Sequence, residues 1–146
     1  MYKNMEERKI GGLRILYGAS RCGKTRTALK EIQGLLAKKK HKVYVLDGKR
    51  EYGTSWDLLE VYESKYFKVL LQELEKPQGH PHAYLELEKL YNPIYRDTFL
   101  GDEERVFMWK KLKRIAQRGV HVTILISQLE LLPIDESSER RLSFAP

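Results

Sequence analysis

The feature that most narrows what this chain can become is an eight-residue spacing. Gly18–Thr25 reads GASRCGKT, the pattern G-x-x-x-x-G-K-[ST]. Glycines at Gly18 and Gly23 let the backbone turn tightly and bring its N–H groups close to an anion. Leu13–Tyr17 (LRILY) before the loop is a short apolar run that predicts a buried strand. After it, Ala28, Leu29, Ile32, Leu35 and Leu36 recur at helical spacing and predict an amphipathic helix from Lys24 to about Lys39. Strand, glycine loop and helix N-terminus together make a concave nest for phosphate. Gly18, Ala19, Ser20, Arg21, Cys22, Gly23, Lys24, Thr25 and Arg26 are the expected nucleotide-binding residues. Within the set, Lys24 reaches for the β and γ phosphates, and the Thr25 hydroxyl is a ligand for Mg²⁺ bridging them. ATP with Mg²⁺ is the expected cofactor pair.

The rest of the pattern fits one domain over 1–146, with residues 1–10 expected as a flexible N-terminus. Lys42–Asp47 (KVYVLD) predicts a second strand, which Gly48 breaks. Trp56–Tyr62 reads as a short helix. Tyr66–Leu74 is apolar enough for either strand or helix. Ala83–Leu87 (AYLEL) reads as a third buried strand, Asp102–Arg118 as a helix stopped by Gly119, and His121–Ser127 (HVTILIS) as the strongest strand. Arg141–Phe144 reads as a short last strand. The alternation predicts a three-layer α/β domain with a mostly parallel sheet, the P-loop NTPase fold in a minimal core. Ligands of such sheets sit at the carboxyl ends of the strands.

Composition narrows the classes. A chain of 146 residues with 42% hydrophobic and 32% charged residues is balanced for a soluble globular protein. Met1–Lys9 is polar and lacks a signal-peptide core, and the apolar runs are too short for a ~20-residue membrane span. One cysteine, Cys22, builds neither a disulfide framework nor a cysteine zinc site, so a reducing cytoplasmic setting is the default. Cys22 fills a variable position of the pattern and reads as incidental, against the alternative of an exposed, reactive thiol at a helix N-terminus. Lys and Arg number 27 against 20 acids, a net charge of +7. That balance points to a nucleic-acid partner, here DNA, against the plainer reading of a solvated surface.

Hydrolysis needs a carboxylate near the metal and a group that orients water. Glu86 and Glu88 lie one strand period apart and so face one side. Glu88 is the preferred metal and catalytic acid, against the reading that the pair opens a solvated helix. Lys89 stands where a second acid would be expected. Asp47 is either a second acid near the metal or a turn residue before Gly48. Ser127 and Gln128 end the last long strand, where Gln128 is placed to sense the γ-phosphate or position water.

GASRCGKT, KVYVLDGK and RIAQRGVHVTILISQ together resemble the FtsK/HerA class of P-loop ATPases, which includes DNA translocases, conjugation coupling ATPases and packaging motors. Gly119, Val120, His121 and Gln128 fill places of that pattern, and Asp47 and Lys49 are similar to its Asp-Pro-Lys with Gly48 in place of proline. The resemblance spans roughly residues 13 to 128. It implies a homo-oligomeric, hexameric ring that moves along DNA with ATP held between subunits. Lys110, Lys111, Lys113 and Arg114 are then candidate DNA contacts, and Arg118, Arg140 or Arg141 a candidate for reaching a neighbour's γ-phosphate. Two other readings stay open: a nucleotide-binding assembly or regulatory module without significant hydrolysis, and a small nucleotide kinase using Arg96 and Arg105 over the phosphates.

Overall fold

Alternation along the buried strands sets the architecture. In the computed structural model, which describes residues 5–19, 22–76, 79–87, 102–127, 134–135 and 140–141, the elements run β1 (Glu6–Ile10), β2 (Leu13–Tyr17), α1 (Lys24–Lys38), β3 (Val43–Asp47), β4 (Leu59–Glu63), a 3-10 turn at Ser64–Tyr66, α2 (Phe67–Glu75), β5 (His82–Glu86), α3 (Asp102–Gln117), β6 (His121–Ile126) and the short pair β7 (Ile134–Asp135) and β8 (Arg140–Arg141). Six strands form one sheet in the order β1-β2-β6-β5-β3-β4. All neighbours pair in parallel except β1, which runs antiparallel to β2. The protein is therefore α/β with a mostly parallel sheet. Among the described residues no helix is long and apolar enough to cross a membrane.

Each strand divides its side chains between two cores, because successive residues point to opposite faces. Leu13, Ile15, Tyr44, Leu46, Ala83, Leu85, Val122 and Ile124 meet Phe67, Leu70, Leu71 and Leu74 of α2 and Met108, Trp109, Leu112 and Ile115 of α3. Leu16, Val43, Val45, Tyr84 and Leu125 meet Ala28 and Ile32 of α1. One helix covers one face and two cover the other, so three layers form.

Two expectations change and one open reading is resolved. Glu6–Ile10, expected as flexible, is an edge strand, since Glu6 to Ile10 pair in register with Tyr17 to Leu13. Trp56–Tyr62 is not a helix: Asp57 takes a φ of 40°, Trp56 and Leu59 exchange backbone hydrogen bonds of 2.8 and 2.7 Å, and Leu59–Glu63 pairs with β3. A left-handed residue interrupts any helical run, which frees the β-prone residues after it to extend the sheet. The ambiguous run 66–74 is helical from Phe67, because Phe67, Leu70, Leu71 and Leu74 form one buried stripe while Val69 stays half exposed. The strands at 83–87 and 121–127 form within a residue of their expected bounds. The short last strand, expected from Arg141, is Arg140–Arg141.

Leu85 is fully buried in the centre of the sheet. Leu85→Ala is expected to cost about 2–5 kcal/mol of stability, read from urea unfolding of the two proteins.

Candidate functional site: a phosphate loop facing a buried carboxylate

Four parallel strands deliver the expected residues to one edge. The loop leaves the end of β2, Asp47 ends β3, Glu86 ends β5 and Ser127 follows β6. The loop is anchored where it leaves β2, its Gly18 amide donating to the Ile126 carbonyl at 3.3 Å. Gly23 then begins α1 with a φ of 104°, a left-handed conformation that suits glycine and that any β-carbon would strain. The first amides of a helix have no intrahelical acceptor, and the helix dipole is positive at that end. No acidic residue occupies the first turn of α1, so nothing there offsets that field.

Lys24 is buried and its ammonium donates to the loop carbonyls of Gly18 at 2.5 Å and Ala19 at 3.1 Å, with the Cys22 sulfur at 3.8 Å. Its charge is thereby held in the middle of the loop. Cys22 is buried, which sets aside the alternative of an exposed thiol. Arg26 is exposed on the first turn. Ser20 and Arg21 lie outside the described residues.

Facing the loop is Glu86, the last residue of β5 and only 3% exposed. The Thr25 hydroxyl donates to its Oε2 at 3.1 Å, the Tyr52 hydroxyl donates to the same oxygen at 3.4 Å, and the Gly48 amide donates to Oε1 at 3.0 Å. The reading that Glu86 opens a solvated helix fails, because its place in the strand period turns it into the α1 side of the sheet. Glu88, expected as the metal and catalytic acid, and Gln128, expected as the γ-phosphate sensor, lie outside the described residues. Among the described residues Glu86 is the carboxylate that touches Thr25.

Asp47 takes the turn role, one of its two expected readings. Its Oδ1 accepts the amides of Lys49 at 3.3 Å and Glu51 at 3.0 Å, and its Oδ2 accepts the Tyr52 amide at 3.1 Å. It organises the 48–52 turn, as short acidic side chains do when they capture nearby amides. That turn includes Arg50 at a φ of 57°, an uncommon conformation for a non-glycine residue. The turn in turn supplies the Gly48 amide and Tyr52 hydroxyl that hold Glu86. Sequence reasoning missed Tyr52, for no motif marks a tyrosine five residues past the strand; the one signal was Asp-Gly at the strand end.

Among the described residues no three acids, histidines or cysteines cluster as a metal cage. The hard-oxygen pair of Thr25 and Glu86 nevertheless suits a Mg²⁺ ion, which takes few protein ligands and completes its shell with phosphate and water.

The other expected contacts disperse. Lys111 pairs with Glu75 at 2.8 Å and lies 5.7 Å from the Phe107 ring, and the methylenes of Lys113 lie over the Gly11 backbone, while Lys110 and Arg114 are exposed. Arg118 is exposed just past α3. Arg140 and Arg141 pair through their backbones with Asp135 and Ile134. Arg96 lies outside the described residues, as does the side chain of Arg105.

Burial pushes the Glu86 carboxyl up to about 7, with the charges of Glu51 and Asp47 adding to it, while the hydrogen bonds from Thr25 and Gly48 pull the other way. The folded protein therefore keeps this proton to higher pH than the unfolded chain, whose carboxyl titrates near 4.5. Stability from this group is full below about 4.5 and falls as pH rises toward 7, by on the order of 3 kcal/mol. Glu86→Gln is expected to flatten that loss, measured as the difference between wild type and variant in urea unfolding at pH 5 and pH 8.

Comparison of the chain with protein-family models, curated proteins and solved structures finds no match.

Proposed function

We propose that this chain binds a nucleoside triphosphate, ATP, on the 18–25 loop and hydrolyses it, as the core of a DNA-acting motor of the FtsK/HerA kind. The observation that carries the reading is the contact of the Thr25 hydroxyl with the buried Glu86 carboxylate, 3.1 Å apart, at the end of a helix that begins in a phosphate-loop spacing. Chance conformity to an eight-residue pattern does not require a carboxylate at the threonine; nucleotide chemistry does. The loop amides and Lys24 would take the phosphates. Thr25 would hold Mg²⁺ directly and Glu86 through a bound water. The ion would neutralise charge on the β and γ phosphates. The net charge of +7 and the family resemblance support DNA as the partner, and the ring assembly follows from the resemblance alone.

A second reading is favoured by one observation. Lys89 stands where a second acid would be expected, which suits a chain that binds nucleotide without turning it over. One experiment separates the two: steady-state ATP hydrolysis with Mg²⁺, with and without single- and double-stranded DNA, for wild type, Lys24→Ala and Glu86→Gln. Hydrolysis is expected in wild type and is raised by DNA. Lys24→Ala should lose nucleotide binding and turnover together. Glu86→Gln should keep binding and lose turnover by roughly 10–100-fold, the cost of removing an outer-shell partner of a metal ion. ATP binding with no turnover above Lys24→Ala in any condition selects the binding module instead.

A further inference from the structure

At the opposite end of the same sheet face lies a groove of about 580 Å³. Its walls are the β1–β2 hairpin with Lys9 and Arg14, the second half of α1 with Glu31 and Lys38, and the first residues of β5 and β6, His82 and His121. β5 carries His82 at this end and Glu86 at the other, four residues or about 13 Å apart, so the groove is separate from the phosphate loop.

Three features of the groove point the same way. The first is an aromatic ladder containing all four histidines of the chain. His82 and His121 stack with centroids 4.4 Å apart and planes 17° from parallel. His41 meets His82 edge-on at 5.3 Å, and His80 meets His121 at 6.5 Å, its ring held within 3.1 Å of the Gly119 carbonyl. His121 is exposed at the rim. Burial, with His121 and His41 beside it, pushes His82 down to about 4, so this ring stays a neutral flat surface at physiological pH.

The second feature is charge. Arg14 is committed to Glu31, through hydrogen bonds of 2.6 and 2.7 Å, and to Glu7 at 2.9 Å. Tyr84 donates to Glu31 at 2.9 Å. Burial alone would raise the Glu31 carboxyl, but Arg14 and Tyr84 outweigh it and hold it below the usual range. The acid in the wall is thus neutralised by its arginine. Lys9 and Lys38 make no ion pair among the described residues, and Lys39 and Lys40 continue the cationic edge, both exposed.

The third feature is Gly34. It sits in the middle of α1 and lines the groove, with open space where a β-carbon would stand and no positive φ to require glycine. A helix-interior glycine costs about 1 kcal/mol against alanine. A longer side chain at this position would project into the groove.

We infer that this groove holds a single strand of nucleic acid, with phosphates on Lys9 and Lys38 and a base against the stacked His82–His121 rings. Cations along a track with aromatic faces between them suit a sequence-tolerant strand, because every base has a face to stack and every linkage a charge. The cationic edge continues past the groove along Lys39 and Lys40, which favours a polymer over a single phosphate. The inference rests on the reading of the chain as one that acts on nucleic acid, but places the contact here and not on the Lys110–Arg114 side of α3.

The test is fluorescence anisotropy of a labelled 15-nucleotide single-stranded DNA against the full chain without ATP, over a salt series. Wild type is expected to bind, Gly34→Leu to bind at least tenfold more weakly with an unchanged or raised melting temperature, and Lys38→Glu likewise at least tenfold more weakly. Lys9→Ala and Lys38→Ala should each lower the salt slope by about 0.7, the value for one single-strand phosphate contact. Lys24→Ala should bind the strand as wild type does, and Gly34→Leu should still bind ATP. This keeps failure at the groove distinct from failure at the loop. Lys110→Glu abolishing binding while Gly34→Leu binds normally would overturn the placement. AMP competing as well as the oligonucleotide would overturn a strand in favour of a free nucleotide. Equal competition by polyglutamate would overturn nucleic acid in favour of an acidic peptide.

Discussion

The two-residue period of β5 is the constraint on which the rest of this protein depends. Five residues, His82 to Glu86, lie between β6 and β3 with both faces covered. Ala83 and Leu85 lock into the core under α2 and α3, and that fixes His82, Tyr84 and Glu86 on the side of α1. A slip of one residue would send a carboxylate into the apolar core and a leucine toward the Gly18–Thr25 loop, so the register is strongly specified. The polar residues on this strand are held in place by the apolar ones between them.

α1 is the second half of the same arrangement. Its first turn carries Lys24 and Thr25, its middle carries Ala28 and Ile32 into the core, and its far half carries Glu31, Gly34 and Lys38 along the groove. Thr25 meets Glu86 at one end of β5, and Glu31 meets Tyr84 in the middle. One helix and one strand therefore link the two ends of the face through direct side-chain hydrogen bonds. The Arg14–Glu31 pair closes the network onto β2.

The Glu86 environment shows how a buried carboxyl is tolerated. Removal from water disfavours its charge, and three donors on two oxygens compensate in part. Two of those donors, the Gly48 amide and the Tyr52 hydroxyl, come from the 48–52 turn, which Asp47 organises by capturing three amides. Asp47 therefore shapes the turn that supplies two of the partners of the acid.

Local sequence determined the loop, its flanking strand and helix, and the apolar strands at 83–87 and 121–127, because short-range periodicity and glycine placement suffice for those. The three-layer α/β class followed from their alternation. Several things could not be read this way. Glu6–Ile10 is charged and becomes a strand only because β2 offers an edge to pair with. Phe67–Glu75 fits either period, and the covering of one stripe by the sheet and α3 decided for helix. Glu88 was preferred over Glu86 from its expected place at the strand end; β5 ends at Glu86, and only the fold brings that residue to Thr25, 61 residues earlier. Tyr52 and the histidine ladder were invisible for the same reason. Their partners are distant in the chain, and only strand order brings the four histidines together. Sequence determined the 18–25 spacing and the strand and helix that flank it; tertiary structure decided which side chains meet, because pairing across a sheet depends on register and not on proximity along the chain.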